Sequence, residues 1–90
     1  MDFSHQWTQL SILCFCTGFK QVPSLARVHN IITAIAECAR NGDEKLFHTT
    51  VYNLLLPALN DLSKDDMNRF VLSTKYCINN IPSEIKSYII

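Results

Sequence analysis

The sequence predicts an all-α domain of four to five antiparallel helices stacked as helical hairpins, either a solenoid fragment or a small helical bundle. The first observation is a series of short polar residues at intervals of 19 or 20 positions: Ser4, Ser24, Asp43, Ser63 and Ser83. Such side chains can accept hydrogen bonds from the N–H groups that the first turn of a helix leaves unpaired. Apolar residues recur at helical spacing between them, and with only two glycines and three prolines the composition argues against β-hairpins and disorder.

The first helix is expected from about Ser4 to Thr17, with Gly18 in the left-handed conformation that ends it. One apolar stripe consists of Phe3, Trp7, Leu10 and Cys14. The opposite side carries Ile12, Cys16 and Phe19. Apolar residues on both sides predict that the C-terminal half of this helix is buried all round.

The second helix is expected from Ser24 to about Arg40, before the stop signal Asn41-Gly42. Its apolar stripe has a 3-4-3-4 spacing and consists of Leu25, Val28, Ile32, Ile35 and Ala39. The far face carries Asn30, Thr33, Glu37 and Arg40. A helix with one apolar and one polar face is predicted to lie at the periphery, with the polar face in water.

The third helix is expected to begin at Asp43 and to continue through Pro57 with a kink. Its apolar stripe keeps helical phase across the proline: Phe47, Val51, Leu54, Ala58 and Leu62. A break at Leu56 is the alternative, because proline removes the hydrogen bond to the Asn53 carbonyl. A second apolar row of Tyr52, Leu56 and Leu59 predicts that this helix is central or forms half of an interface.

Ser63 and Asp66 resemble a capping box, and Leu62 is expected to pack on Met67. The fourth helix runs to about Asn79, with an apolar face of Met67, Phe70, Val71, Cys77 and Ile78. A fifth helix, Glu84 to Ile90, ends without a C-cap signal. We therefore expect residues 1–90 to form one helical domain of a longer chain or of an obligate complex.

Composition restricts the possible partners. Eight basic residues balance eight acidic ones, so no net charge attracts nucleic acid or an anionic membrane. No apolar run approaches the roughly 20 residues that span a bilayer, and no signal peptide is apparent. The cysteines lie in apolar helical stretches rather than in loops: Cys14, Cys16, Cys38 and Cys77. This placement favours a reducing, intracellular compartment, cytoplasmic or nuclear.

No catalytic, metal or cofactor site is predicted. On a helix, Cys14 and Cys16 point about 200° apart and cannot bind one ion together, so both are expected in the core. The histidines His5, His29 and His48 lack the i, i+4 spacing with which one helix holds a metal. Both glycines follow predicted helix ends rather than forming a phosphate-binding loop. The chain is therefore expected not to be an enzyme.

Two candidate partner-binding surfaces emerge. Arg69, Leu72 and Tyr76 lie on the fourth helix opposite its core stripe, and exposed Arg and Tyr around an aliphatic residue is typical of interfaces. The second candidate is the row of Tyr52, Leu56 and Leu59 on the third helix. Its apolar surface, together with Phe19, predicts binding of a partner helix or peptide, or self-association.

The regular cap spacing resembles the tetratricopeptide, HEAT and related helical-hairpin repeats in architecture, over nearly the whole chain. Trp7-x-x-Leu10 matches the opening of a tetratricopeptide repeat, with Ser11 where that pattern has Gly. The resemblance implies a non-catalytic scaffold for protein-protein interaction, which holds a partner helix or peptide or self-associates through an apolar face. The alternatives are a compact helical regulator of the death-domain or Bcl-2 kind and an RNA-binding helical repeat.

Overall fold

The computed structural model describes residues 4–75 and 81–89, and all regular structure in this part of the chain is helical. The helices are α1 (Ser4–Cys16), α2 (Pro23–Asn41), α3 (Glu44–Thr50), α4 (Leu56–Asn60), α5 (Lys64–Thr74) and α6 (Lys86–Ile89). A π-helical segment, Val51–Leu55, joins α3 to α4, and 3₁₀ turns occupy Phe19–Gln21 and Ser83–Ile85. The predicted all-α fold is confirmed.

Helices α1 and α2 form an antiparallel hairpin. Arg40 donates a hydrogen bond to Thr8 at 3.1 Å, and the hydroxyls of Ser11 and Thr33 are hydrogen-bonded at 2.7 Å. Thr8, near the start of α1, is bonded to Arg40 near the end of α2, and Ser11, further along α1, is bonded to the earlier Thr33. The two helices therefore run in opposite directions. Gly18 has φ 79°, so the predicted left-handed glycine after α1 is confirmed.

Helix α2 is the centre of the packing. Its buried residues are Leu25, Val28, Ile32, Ile35, Ala36, Cys38 and Ala39, which include the whole predicted stripe. Its polar face is exposed as predicted, at Asn30, Thr33, Glu37 and Arg40. The predicted peripheral position is wrong, because α2 contacts α1, α3, the π-helical segment, α4 and α5. In so small a bundle, α1, the 44–60 region and α5 all pack around the single apolar face of α2.

The expected exposure of α1 differs from the observed one. Trp7, Leu10 and Cys14 are buried, whereas Ile12 is 58% and Phe15 54% exposed. The prediction that the C-terminal half of α1 is buried on all sides is therefore wrong. In the described part of the chain, α1 packs mainly against α2 and α5, and the side that carries Ile12 and Phe15 faces solvent.

The helix through Pro57 is continuous, as predicted, and no break occurs at Leu56. Leu55 and Leu56 have helical dihedral angles, and the N–H of Leu56 bonds to the carbonyl of Val51, five residues back. This wider π-helical turn directly precedes Pro57, whose missing N–H and bulky ring disturb the ordinary hydrogen bond to Asn53. Together α3, the π-helical segment and α4 make one helix over residues 44–60, which we call the 44–60 helix.

The π-helical turn changes which leucine is buried. A π-helix has more residues per turn than an α-helix, so the positions within and after it are rotated relative to an α-helical pattern. Leu55 is fully buried, and Leu54 is 48% exposed. The prediction that Leu54 belongs to the core stripe is wrong for this reason, while Phe47, Val51 and Ala58 are buried as predicted.

Two predicted N-caps are confirmed. Asp43 Oδ1 accepts a hydrogen bond from the N–H of Leu46, and Ser63 Oγ accepts one from the N–H of Asp66, each at 3.2 Å. Ser24 does not cap α2, because its hydroxyl donates to Asp66 Oδ2 at 2.8 Å. This hydrogen bond ties the first turn of α2 to the first turn of α5.

The C-terminal part packs back onto the 44–60 helix. The predicted fifth helix is divided into the 3₁₀ turn Ser83–Ile85 and α6, and Pro82 rather than Ser83 is the N-cap residue. Ile85 is fully buried, and Tyr88 Oη donates to Asn60 Oδ1 at 3.1 Å. The predicted end of the fourth helix near Asn79, and its apolar residues Cys77 and Ile78, lie outside the described residues.

The dimensions distinguish a bundle from an extended stack. The Cα radius of gyration is 11.9 Å and the principal extents are 34 × 25 × 23 Å. A compact domain of this length is expected to have a radius of gyration of about 12 Å. Of the two predicted forms, solenoid fragment or small helical bundle, the structure is the small bundle.

Candidate interaction surface

An open groove lies where the corner between α1 and α2 meets α5. It has a volume of about 310 Å³. It is lined by Thr17, Gly18, Phe19, Val22, Leu25, Arg69, Leu72 and Ser73. We call this feature the Arg69 groove. Two of the predicted partner-binding residues, Arg69 and Leu72, therefore lie together on its α5 wall.

The groove has apolar residues at its base and at one edge, among polar lining residues. Phe19 and Leu25 are 2% and 1% exposed, so they close its inner side. The ring of Phe19 lies 6.2 Å from that of Phe70, which anchors this side to α5. Leu72 is 59% exposed and forms part of the edge. An apolar ligand group that entered the groove would remove the exposed Leu72 side chain from water.

Gly18 determines the shape of the opposite wall. Its φ of 79° allows the chain to reverse after α1, and the 3₁₀ turn then directs Phe19 into the interior. The expectation that Phe19 contributes exposed apolar surface is wrong, because the turn removes it from the phase of α1. A side chain at position 18 would strain the backbone, although no atom lies within 4 Å of the place that its Cβ would take.

Arg69 is the one charged residue among those that line the groove. Within the described residues its guanidinium has no hydrogen bond or ion pair. Asp66, one turn earlier on α5, instead accepts the hydrogen bond from Ser24. The guanidinium is therefore exposed at the groove with its donors available for a ligand.

The two hydroxyl groups of the groove are already used as donors. Ser73 Oγ donates to the Arg69 carbonyl at 2.9 Å, and Thr17 Oγ1 donates to the Cys14 carbonyl at 3.1 Å. Such bonds to the preceding turn are usual for Ser and Thr in helices. Among the described lining side chains, only Arg69 offers free hydrogen-bond donors.

The third residue of this predicted surface, Tyr76, lies outside the described residues. Sequence reasoning placed Arg69 and Leu72 on an exposed face of α5, and both are exposed. It missed the other wall, Thr17 to Val22, because that wall joins α5 only through tertiary packing. The sequence signal for a corner was present in Gly18 and Pro23, but no signal indicated what the corner packs against.

The second predicted surface does not form as one exposed row. Tyr52 is 52% exposed, Leu56 is half-buried and Leu59 is fully buried. Leu59 therefore cannot contact a partner on this surface. The physical reason is again the π-helical turn, which rotates the residues after Leu55 and brings Leu59 into the core. Tyr52 and Leu54 remain exposed here. The Tyr52 ring is stacked on the His48 ring, with 6.1 Å between the ring centroids.

A further apolar area on the outer side of α1 was not predicted to be exposed. It comprises Ile12 and Phe15, with Lys20 Nζ 4.1 Å from the centroid of the Phe15 ring. The ring of Phe15 also lies 6.2 Å from that of His29 on α2. These contacts cover part of the aromatic surface, and neither Ile12 nor Phe15 lines the Arg69 groove, so this area is a weaker candidate.

The cysteines and the other metal-binding side chains do not form a cluster. In residues 4–75 and 81–89, no three His, Cys, Asp or Glu side chains are placed to hold a metal ion together. Cys14 and Cys38 are buried, but Cys16 is exposed, so its predicted core position is wrong. Cys77 lies outside the described residues. The described helices also include none that is long and apolar enough to cross a membrane.

No family model matches this chain, and no curated protein or solved structure shows significant similarity to it.

Proposed function

We propose that this chain is a non-catalytic protein-binding module that holds a segment of a partner protein in the Arg69 groove. The observation that carries the proposal is the exposed Leu72 beside a concavity of about 310 Å³ whose inner side is formed by Phe19 and Leu25. Concave apolar sites with a few polar groups are the usual sites of specific binding. A partner side chain that enters the groove would remove Leu72 from water.

The proposal includes an architecture and a location. The α1–α2 pair is a helical hairpin of the kind that repeat scaffolds stack, which supports placement in the helical-hairpin class at the level of architecture. The position of Cys14 and Cys38 in the buried faces of helices, rather than in loops, favours a reducing intracellular compartment. A compact helical regulator is the second candidate, and the compact dimensions of the bundle favour it. Both candidates use the groove for binding.

The test begins with random peptides displayed on phage and selected on the immobilised chain. The affinities of the selected peptides are then measured by fluorescence polarisation for the parent, for Leu72→Asp and for Leu54→Asp. The two variants form a matched pair, because both replace an exposed leucine by a charge: Leu72 is 59% and Leu54 48% exposed. We expect Leu72→Asp to weaken binding by about tenfold or more, because an apolar contact in the groove is replaced by a charge. Leu54→Asp should bind as the parent does.

The opposite pattern, loss in Leu54→Asp only, would place binding on the 44–60 helix and refute the groove. Failure to select any peptide, or equal binding by both variants, would refute the proposed function. Far-UV circular dichroism and urea denaturation show whether each variant folds. Sedimentation velocity adds an independent check: a concentration-dependent dimer that Leu72→Asp abolishes would make a second copy of this chain the occupant, against the proposal of a separate partner.

A further inference from the structure

We propose that the segment bound in the Arg69 groove carries an Asp or Glu side chain next to an aliphatic one. Its carboxylate pairs with the Arg69 guanidinium, and its aliphatic side chain packs on the exposed Leu72 at the edge of the groove. This inference rests on the proposed function and specifies the chemistry of its ligand.

The size of the groove sets the scale of the ligand. Its volume of about 310 Å³ lies at the low end of the 300–1,000 Å³ typical of small-molecule pockets. One or two side chains fit such a space, whereas a nucleotide or a large cofactor fills a bigger one. The groove is open to solvent, so a peptide backbone can pass over the edge formed by Leu72.

The charge of the groove determines which charge the ligand group should carry. Arg69 is the only charged group among the described lining residues, and its guanidinium is unpaired in the described structure. The hydroxyl protons of Thr17 and Ser73 are donated to backbone carbonyls. A ligand group that satisfies the remaining donors must therefore be an acceptor, and a negatively charged acceptor gives the strongest hydrogen bonds to a guanidinium.

Two acidic residues lie near Arg69 on α5, but neither forms an ion pair with it. Asp65 and Asp66 precede it by four and three positions, the separations at which helical ion pairs form. Asp66 accepts a hydrogen bond from Ser24, and Asp65 makes no ion pair with Arg69. The Ser24–Asp66 hydrogen bond is therefore a positioning contact that holds the Asp66 carboxylate at the first turn of α2 instead of on Arg69.

A carboxylate fits this site better than a phosphate. Phosphate groups in proteins are usually held by clusters of Arg residues or by helix N-termini, because they carry nearly two negative charges. The Arg69 groove presents a single cation on the middle of α5. One guanidinium can pair with one carboxylate through two parallel hydrogen bonds, which matches the charge on both sides.

The probe is a library of short peptides that are acetylated and amidated, so that only side chains are charged. A leucine is fixed at the centre, and each flanking position holds Glu, Gln, Lys or Ser. We expect the parent chain to bind peptides with Glu over Gln at a flanking position by about 1.5-fold to fivefold, the range for an exposed ion pair. Arg69→Gln should abolish this preference, and Arg69→Glu should reverse it toward Lys at the same position.

Lys45→Glu is the matched control, because it makes the same change in charge at an exposed position of α3, which contributes no lining residue. It should leave the preference for Glu unchanged. Ser24→Ala provides a second readout: with Asp66 released to approach Arg69, the preference for Glu should decrease while binding of the leucine persists. High salt, about 1 M, should also reduce the preference, since the Debye length falls to about 3 Å.

Binding that depends on Leu72 but does not distinguish Glu from Gln would refute this inference and leave the proposed function intact. A preference for peptides with a free C-terminal carboxylate over amidated ones with Glu would refute the choice of a side-chain acid. Loss of the preference in Lys45→Glu would show a general effect of charge rather than a contact with Arg69. Absence of any binding that Leu72→Asp removes would refute both proposals.

Discussion

Helix α2 and the 44–60 helix are of similar length, but their sequences predict burial with different success. Every apolar residue assigned to the α2 stripe is buried, from Leu25 to Ala39. In the 44–60 helix the assignment holds as far as Val51 and then fails at Leu54, which is exposed while Leu55 is buried. The failure begins within the π-helical segment.

The difference shows that the spacing of apolar residues predicts burial only while the backbone keeps one hydrogen-bond pattern, such as the i to i−4 pattern of an α-helix. Helix α2 keeps the α-helical step from Pro23, which lies in the first turn where its missing N–H is not needed, to the left-handed Gly42. Pro57 lies in the interior of the 44–60 helix, and the π-helical turn precedes it. The same residue type therefore starts one helix without disturbance and changes the phase of the other.

The largest effect is expected in α2. Ile35→Ala should lower the free energy of unfolding by about 2–5 kcal/mol, because Ile35 is fully buried in the helix that most others contact. A chain of this size has a total stability of only about 5–13 kcal/mol, so much of it would be lost. Urea denaturation followed by circular dichroism measures the change.

Asn30→Ala on the exposed face of α2 is the control, and it should change stability by less than about 0.5 kcal/mol. If Ile35→Ala unfolds at the same urea concentration as the parent, the stripe of α2 does not form the core.

A pair of adjacent leucines tests the phase shift directly. Leu55→Ala should cost about 2–5 kcal/mol, because Leu55 is fully buried. The same substitution at Leu54 should cost less than about 1 kcal/mol, because that side chain is 48% exposed. The two urea midpoints are compared under identical conditions. Equal costs, or a larger cost at Leu54, would mean that an ordinary α-helix continues to Pro57.

Much of the fold follows from local signals. Gly18 and Gly42 end α1 and α2 in the left-handed conformation, and Asp43 and Ser63 cap the helices that follow them. These features depend on a few consecutive residues, so sequence alone can predict them. Phe19 shows the limit: its burial follows from the 3₁₀ turn after Gly18, and no helical period contains that information.

The candidate site was predictable on one side only. Arg69 and Leu72 were recognisable because they lie opposite the core residues of a single helix. The wall that contains Phe19 could not be predicted from the sequence. Its approach to α5 depends on contacts between residues about 50 positions apart, such as Phe19 with Phe70. The hydrogen bond of Ser24 to Asp66 was missed for the same reason, since both residues read locally as capping groups.

The smallest expected effect concerns how the two helices begin. Helix α2 starts after Val22 without a side-chain cap, whereas Asp43 caps the 44–60 helix through the N–H of Leu46. Asp43→Ala should therefore lower the free energy of unfolding by about 1 kcal/mol.

Asp43→Asn keeps an acceptor at the same position and loses only the attraction of a negative charge to the helix N-terminus, about 0.3–1 kcal/mol at low salt. In high salt this second loss should shrink, so Asn should approach Asp in urea midpoint while Ala remains lower. If Asn and Ala are equally destabilised at every salt concentration, the carboxylate contributes through its charge rather than through the hydrogen bond, and the two helices begin alike.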